Sequence, residues 1–202
     1  MIVDFSKNNG LIDFTKLPSD IEMVILRATM GTGTTDKMFV TNVKNALAAG
    51  KKVADYHFSY PDKKQGGTVV LDATSEANYF CDVILAVHTP EEVVIDCEPK
   101  DAAGNDTNLT PTEYALWLQT WLDIVESRTG KQSIIYTYAD YLSRHLPQGH
   151  TFGKYRLWIA SYSHVVTPIL PHGWTTCYMW QYSASGTISG VNGKVDISKF
   201  NS

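Results

Sequence analysis

Eight short runs rich in β-branched and aromatic residues recur along the chain: 2-IVDFS-6, 24-VILRATM-30, 53-VADYHFSY-60, 93-VVIDCE-98, 133-SIIYTY-138, 155-YRLWIASY-162, 176-TCYMWQYS-183 and 195-VDISKF-200. Such runs, bounded by turn-forming residues, read as strands. Helical patterns separate the earlier ones. Residues 38–50 put Phe39, Val43, Ala46 and Leu47 on one face and end on Gly50; residues 72–87 repeat the pattern with Ala73, Ala77, Phe80, Ile84 and Val87. The strongest is 110-TPTEYALWLQTWLDIVESRTG-130. Thr110 and Glu113 have capping-box spacing, Pro111 suits the first helical position, and Gly130 suits the end. Its Tyr114, Trp117, Leu118, Trp121 and Val125 form an apolar face that reads as core packing. A shorter helix is predicted over residues 139–146.

After residue 150 the strand runs continue without a long helix between them. Alternating β and α segments imply a largely parallel sheet. Eight strands in 202 residues predict that the sheet closes into an α/β barrel that has lost its last helices, since this is the short end of the barrel range. An open doubly wound sheet is the alternative. No linker or repeat interrupts the pattern, so residues 1–202 read as one domain.

In a barrel of this kind the chemistry sits where strands end. The run 93-VVIDCEPK-100 carries Asp96 and Glu98 at positions i and i+2 of such an end. Alternate side chains share a face, so both acids point the same way and Cys97 points away. Burial and mutual repulsion should push one pKa well above the other. A proton-bearing acid beside an ionised carboxylate is what glycosidic bond cleavage uses. Asp4 follows Ile2-Val3 and Asp196 follows Val195 in what reads as the same kind of position. If the first and last strands are neighbours, all four acids converge on one rim. Aromatics on the later runs (Tyr136, Tyr138, Trp158, Tyr162, Trp180 and Tyr182) divide between core and groove, where rings can stack on sugar faces.

Other chemistries find little support. The string 186-GTISG-190 misplaces the serine of a nucleophile elbow, and 31-GTG-33 lacks the rest of a dinucleotide fingerprint. The six histidines show no zinc-binding spacing, and His57 reads as a hydrogen-bonded residue of the barrel interior. No metal or cofactor is expected. The net charge of −4 predicts no affinity for nucleic acid, and no apolar run is long enough for membrane insertion. Three isolated cysteines fit reduced thiols better than a disulfide framework. The triplets beginning at Asn105 and Asn108 carry little weight as glycosylation sites.

Taken in order, the strings DFSKNNG, RATMGTG with a following D-x-x-F and N-x-x-x-A-x-x-A-G, YHF, DCE, TGKQSIIYTY, LWIASY and WQYSASGTISGVNGKVDISKF resemble glycoside hydrolase family 25, the N-acetylmuramidases or lysozymes. The resemblance implies an irregular TIM-like barrel of about five β/α units followed by three strands with few or no helices. It also implies cleavage of the β-1,4 bond between N-acetylmuramic acid and N-acetylglucosamine in bacterial peptidoglycan. Glu98 matches the general acid and Asp96 its partner carboxylate; Asp4 and Asp196 match further acids of the cleft. Tyr56, Tyr138, Trp158, Tyr162 and Gln181 fall in motifs that line the sugar groove. Met30 departs from the pattern, standing where the family often has an acid, and Cys97 replaces a commoner aliphatic residue. Substrate assistance by the N-acetyl group is the mechanism this analogy favours. A chitinase-like hydrolase and a non-catalytic wall-binding barrel are the alternatives.

The start, MIVDFSKNNG, carries no basic-then-apolar leader. A monomeric phage endolysin, made in the host bacterial cytoplasm and released to the wall at lysis, is the expected setting. A bacterial autolysin expressed without its leader fits as well, as does loss of a wall-binding module.

Overall fold

A computed structural model of the chain describes residues 1–64, 67–99, 106–162 and 167–201. In chain order its strands are β1 (Ile2–Phe5), β2 (Met23–Met30), β3 (Thr34–Thr35), β4 (Lys52–Phe58), β5 (Val93–Asp96), β6 (Ile134–Tyr138), β7 (Leu157–Ala160), β8 (Met179–Gly186) and β9 (Val195–Phe200). The helices are α1 (Phe39–Ala48), α2 (Val69–Leu85), α3 (Pro111–Thr129) and α4 (Ala139–His145). All eight expected strands and four expected helices form. The additional β3 is a two-residue return strand antiparallel to β2, too short to leave a hydropathy pattern.

The sheet runs β1-β9-β8-β7-β6-β5-β4-β2 and closes where β1 pairs parallel with β2, giving an eight-stranded barrel. The pairings among β1, β2, β4, β5, β6, β7 and β8 are parallel, while β9 runs antiparallel to both β8 and β1. The architecture is thus α/β, a TIM-like barrel made irregular by its last strands.

Period two divides each strand cleanly. Ile2, Met23, Ile25, Ala54, Val94, Ile134, Trp158 and Met179 fill the barrel interior. Val3, Val24, Leu26, Val53, Val93, Ile95, Ile135, Leu157 and Ile159 face the helix layer and join a larger outer core. There Tyr114, Trp117, Leu118, Trp121 and Val125 of α3 are fully buried, as its apolar stripe predicts. The Trp117 indole N–H donates to Asp72 of α2 at 2.8 Å, tying the two helices together.

Local chemistry sets the ends of α3. The Thr110 hydroxyl accepts from Glu113 N–H while the Glu113 carboxylate accepts from Thr110 N–H, and Gly130 ends the helix in the left-handed conformation. Thr110→Ala is expected to cost about 1 kcal/mol, read as a lower midpoint in urea unfolding.

His57 corrects the expectation that it lies in the barrel interior. It is fully buried and hydrogen bonded, but on the outer face of β4 against the helices. Its Nδ1 lies 2.7 Å from Thr29 Oγ1 and its Nε2 2.7 Å from Glu76 Oε2, with its ring stacked on Trp121. The alternation of β4 puts Tyr56 and Phe58 inside and therefore turns His57 out. A bulge in β2 between Arg27 and Thr29 turns Thr29 outward to meet it.

Candidate active site

The inward face of the same strands carries polar residues at its upper end. Asp4 (β1), Arg27 (β2), Tyr56 (β4), Asp96 (β5), Tyr136 (β6), Trp158 (β7) and Asp196 (β9) all line one cleft of about 580 Å³. Glu98 joins them from just beyond β5, with Ser6, Asn8, Asn9, Met30, Phe58, Pro99 and Lys194 around the mouth. The apolar interior cluster closes the floor.

All four expected acids therefore meet. Asp4 and Asp196 are directly opposed across the β1–β9 pair. Asp196 reaches the rim by a different route from that expected. It stands at the start of an antiparallel strand, so the beginning of β9 lies beside the ends of the parallel ones. Asp96 is the last residue of β5 and is 5% exposed; Glu98, two residues on, is more open. Cys97 between them turns outward into the core beside Tyr114, and burial pushes its thiol up to about 12.

Clustered acids with little water must resist ionisation. Burial, then the charge of Asp196, raise the Glu98 pKa to about 7, against the lowering influence of Arg27. Asp96 is raised well above the usual carboxylate range by burial and by Glu98 and Asp4, with Arg27 again opposing. Asp4 is likewise high, through burial and the charge of Asp196, while a hydrogen bond from Gln181 acts in the other direction. Asp196 is raised by burial and eased by a hydrogen bond with Asp4. The Asp4–Asp196 pair thus resists double ionisation, as two carboxyls in one site do. Asp96 Oδ1 is buried and has no hydrogen-bond partner among the described residues.

Tyr56 and Trp158 stand on the cleft wall as expected. Trp158 is held by its N–H donating to Ser198 Oγ at 3.0 Å and by edge contact with Tyr136. Tyr138 and Tyr162 lie outside this set of lining residues; Tyr162 is half exposed. Gln181 has a different place from a groove contact. It is 2% exposed, its Oε1 accepts from the hydroxyls of Tyr136 (2.8 Å) and Tyr162 (2.6 Å), and its Nε2 donates to Asp4 at 2.8 Å. It supports Asp4 from behind.

Arg27 opens the RATMGTG string, but the sequence reading gives it no role in the site. It is the cation that opposes the rise of both Asp96 and Glu98, and its Nε pairs with Asp36 Oδ2 at 2.9 Å. Asp36 also accepts from the backbone of Lys7 and Met38, so one buried carboxylate ties β2 to the segments after β1 and β3. The signals for Arg27 in the sequence are the RATMGTG string, the D-x-x-F opened by its partner Asp36, and a lone charge within the otherwise apolar run 24-VILRATM-30. Met30 lines the mouth, and its sulfur accepts the Tyr60 hydroxyl at 3.4 Å.

Such a cleft can hold an extended polar chain over aromatic walls and deliver one proton at near-neutral pH to an atom beside a second carboxyl. The chain's relatives bear on which polymer that is. The sequence pattern of glycosyl hydrolases family 25 matches residues 3–191. Lysozyme M1 of Streptomyces globisporus is 29% identical over 204 residues, covering 98% of this chain and 67% of that protein. A lysozyme of Streptomyces coelicolor superposes with a TM-score of 0.84 at 28% identity, over 99% of this chain and 91% of that one. The CTP1L endolysin gives 0.77 at 29% identity, over 99% of this chain and 66% of its own. The chain thus spans about two thirds of the length of Lysozyme M1 and of the endolysin.

Proposed function

The chain belongs to glycosyl hydrolases family 25, and from that membership we propose that it is a lysozyme, a muramidase that hydrolyses the β-1,4 bond between N-acetylmuramic acid and N-acetylglucosamine in peptidoglycan. The observation that carries the reading is a carboxyl, Glu98, whose pKa lies near 7 in an acid-lined, aromatic-walled cleft. A carboxyl that still holds its proton at neutral pH is suited to protonate the leaving glycosidic oxygen. Similarity to Lysozyme M1 and the Streptomyces coelicolor lysozyme supports the substrate class.

Asp96 acts on the same sugar. Its unpartnered Oδ1 is left to accept the amide N–H of the substrate's N-acetyl group, turning the acetyl oxygen toward the anomeric carbon. The N-acetyl group then serves as internal nucleophile, water opens the resulting oxazolinium ion, and Glu98, now ionised, takes the proton from that water. Arg27 opposes the rise in both acids, and its charge favours ionisation of Asp96 as positive charge develops on the ring. The protein works as a monomer without a cofactor. Its kinship with an endolysin supports release from a host bacterial cytoplasm onto the wall.

Two readouts on purified walls test this. Borohydride reduction of the products should yield muramicitol; glucosaminitol, or cleavage of chitin oligomers in place of walls, would transfer the assignment to a chitinase-like enzyme. The first-formed product should retain its anomeric configuration by proton NMR, since two displacements occur at one carbon. An inverted product would remove the substrate-assisted route.

A further inference from the structure

The ladder of β5 stops at Asp96, yet Glu98 has to be aimed as accurately as Asp96. Between them lie the two peptide groups that flank Cys97, and rotation of either would swing one carboxyl relative to the other. Each carbonyl is gripped by a buried hydroxyl from the strand on one side. Ser59, just after β4 and 1% exposed, donates its hydroxyl to the Asp96 carbonyl at 2.7 Å, and its own N–H to the same oxygen at 3.1 Å. Thr137, on β6 and fully buried, donates its hydroxyl to the Cys97 carbonyl at 2.8 Å. The Cys97 N–H is held in turn by the Tyr136 carbonyl at 2.9 Å.

The grip on the β4 side has its own anchor. Glu76 of α2, 2% exposed, accepts at one oxygen from the Tyr60 N–H (3.0 Å) and lies 2.7 Å from His57 Nε2. His57 is fixed by Thr29 and stacked on Trp121. The residue next to Ser59 is therefore tied through a buried polar pair to the helix layer. This also accounts for a polar pair that takes no part in the cleft: buried polar groups are costly unless satisfied, and these are satisfied by the segment that bears Ser59.

We propose that Ser59 and Thr137 are positioning residues, whose hydroxyls hold the two carbonyls flanking Cys97 from opposite sides and so set the separation and aim of Asp96 and Glu98. Neither is among the residues that line the cleft. Each donates to a carbonyl at or past the last rung of the β5 ladder, supplying hydrogen bonds where the sheet ends. Thr137 has one further contact, a longer one to the Tyr138 carbonyl at 3.2 Å. The proposal rests on the roles given above to Asp96 and Glu98.

Thr137→Val preserves shape and removes the hydroxyl, Thr137→Ser restores it, and Ser59→Ala removes the other hydroxyl while keeping the backbone N–H bond to the Asp96 carbonyl. Misplacement of reacting groups by about 1 Å costs up to about a hundredfold in rate. On peptidoglycan fragments, kcat is expected to fall about tenfold in Thr137→Val and about a hundredfold in the double variant with Ser59→Ala, with KM within about twofold and recovery in Thr137→Ser. The Glu98 carboxyl, followed by ¹³C NMR, should titrate at a shifted pH in Thr137→Val and at the parent value in Thr137→Ser. Unchanged kcat and unchanged titration in a folded Thr137→Val protein would overturn the proposal; if that variant does not fold, the same two measurements on Ser59→Ala decide the question. The NMR arm needs no turnover. A wild-type protein inactive on walls would therefore sink the lysozyme reading while leaving the positioning role to be judged by titration.

Discussion

Glu98→Gln is expected to lower the rate of wall hydrolysis by about 10²–10⁴-fold, the usual contribution of a general acid. The substitution keeps the side chain's shape and hydrogen-bonding reach and removes its transferable proton. KM should change little, because the proton moves only in the transition state. The alkaline fall in activity that Glu98 imposes in the parent should vanish from whatever activity remains. Turbidity clearance of purified walls with matched protein concentrations is sufficient to see this. A Glu98→Gln protein that cleared walls at the parent rate would move the acid elsewhere in the cleft, and a parent protein that bound walls without clearing them would make the barrel a wall binder.

The same substitution should make the protein more stable. Burial and Asp196 push Glu98 to about 7 in the folded protein, against about 4.5 when unfolded, a difference on the order of a few kcal/mol. The sign follows from proton counting. Over that interval the folded state binds more protons than the unfolded, so stability is present below about pH 4.5 and declines as pH rises through 7. Asp55 and Asp72, each pushed to about 6 by burial, act in the same direction, although hydrogen bonds from His88 and from Trp117 oppose the rise. Wild-type Tm is therefore expected to fall between pH 5 and pH 8. Glu98→Gln should exceed it by several degrees at pH 8, about 2–4 °C per kcal/mol for a chain of this size. The gap should close near pH 4. Calorimetry at the two pH values decides: equal Tm at pH 8, or a less stable variant, would mean that Glu98 is not held against its ionisation. A site that gains stability when its acid is neutralised is one where function and stability are opposed.

Most of the frame is legible in the sequence because barrel strands keep strict alternation and their helices keep a 3.6-residue period. Closure is legible too, and with it the meeting of Asp4 and Asp196, since first and last strands of a closed sheet must be neighbours. The side of the sheet taken by a residue is harder to read. Parallel strands are buried on both faces, so hydropathy does not say which face is inside. An interior His57 follows as readily from its string as an exterior one, and only the inward aim of Tyr56 decides against it. The same limit hides the β2 bulge, which spends Ala28 and Thr29 on one face and returns Met30 to the cleft. Asp196 is legible without its direction, because β9 contains nothing that distinguishes an antiparallel return from another parallel strand. Arg27 and Asp36 both stand in quoted strings, but their pairing stays hidden because Asp36 comes within reach only through the return at β3, a contact no local period encodes. Gln181 sits in a string that resembles groove-lining motifs, and only the folded barrel turns its amide from the groove to Asp4.

In the mechanism proposed above, Glu98 delivers the proton and is kept protonated by burial and by Asp196. The pH dependence of kcat/KM on peptidoglycan fragments, for the wild type and Asp196→Asn side by side, tests it most directly. The wild type is expected to show an alkaline limb with an apparent pKa near 7, displaced to lower pH when the neighbouring charge is removed. A limb near the ordinary carboxylate value, or one that stays in place in Asp196→Asn, would contradict it.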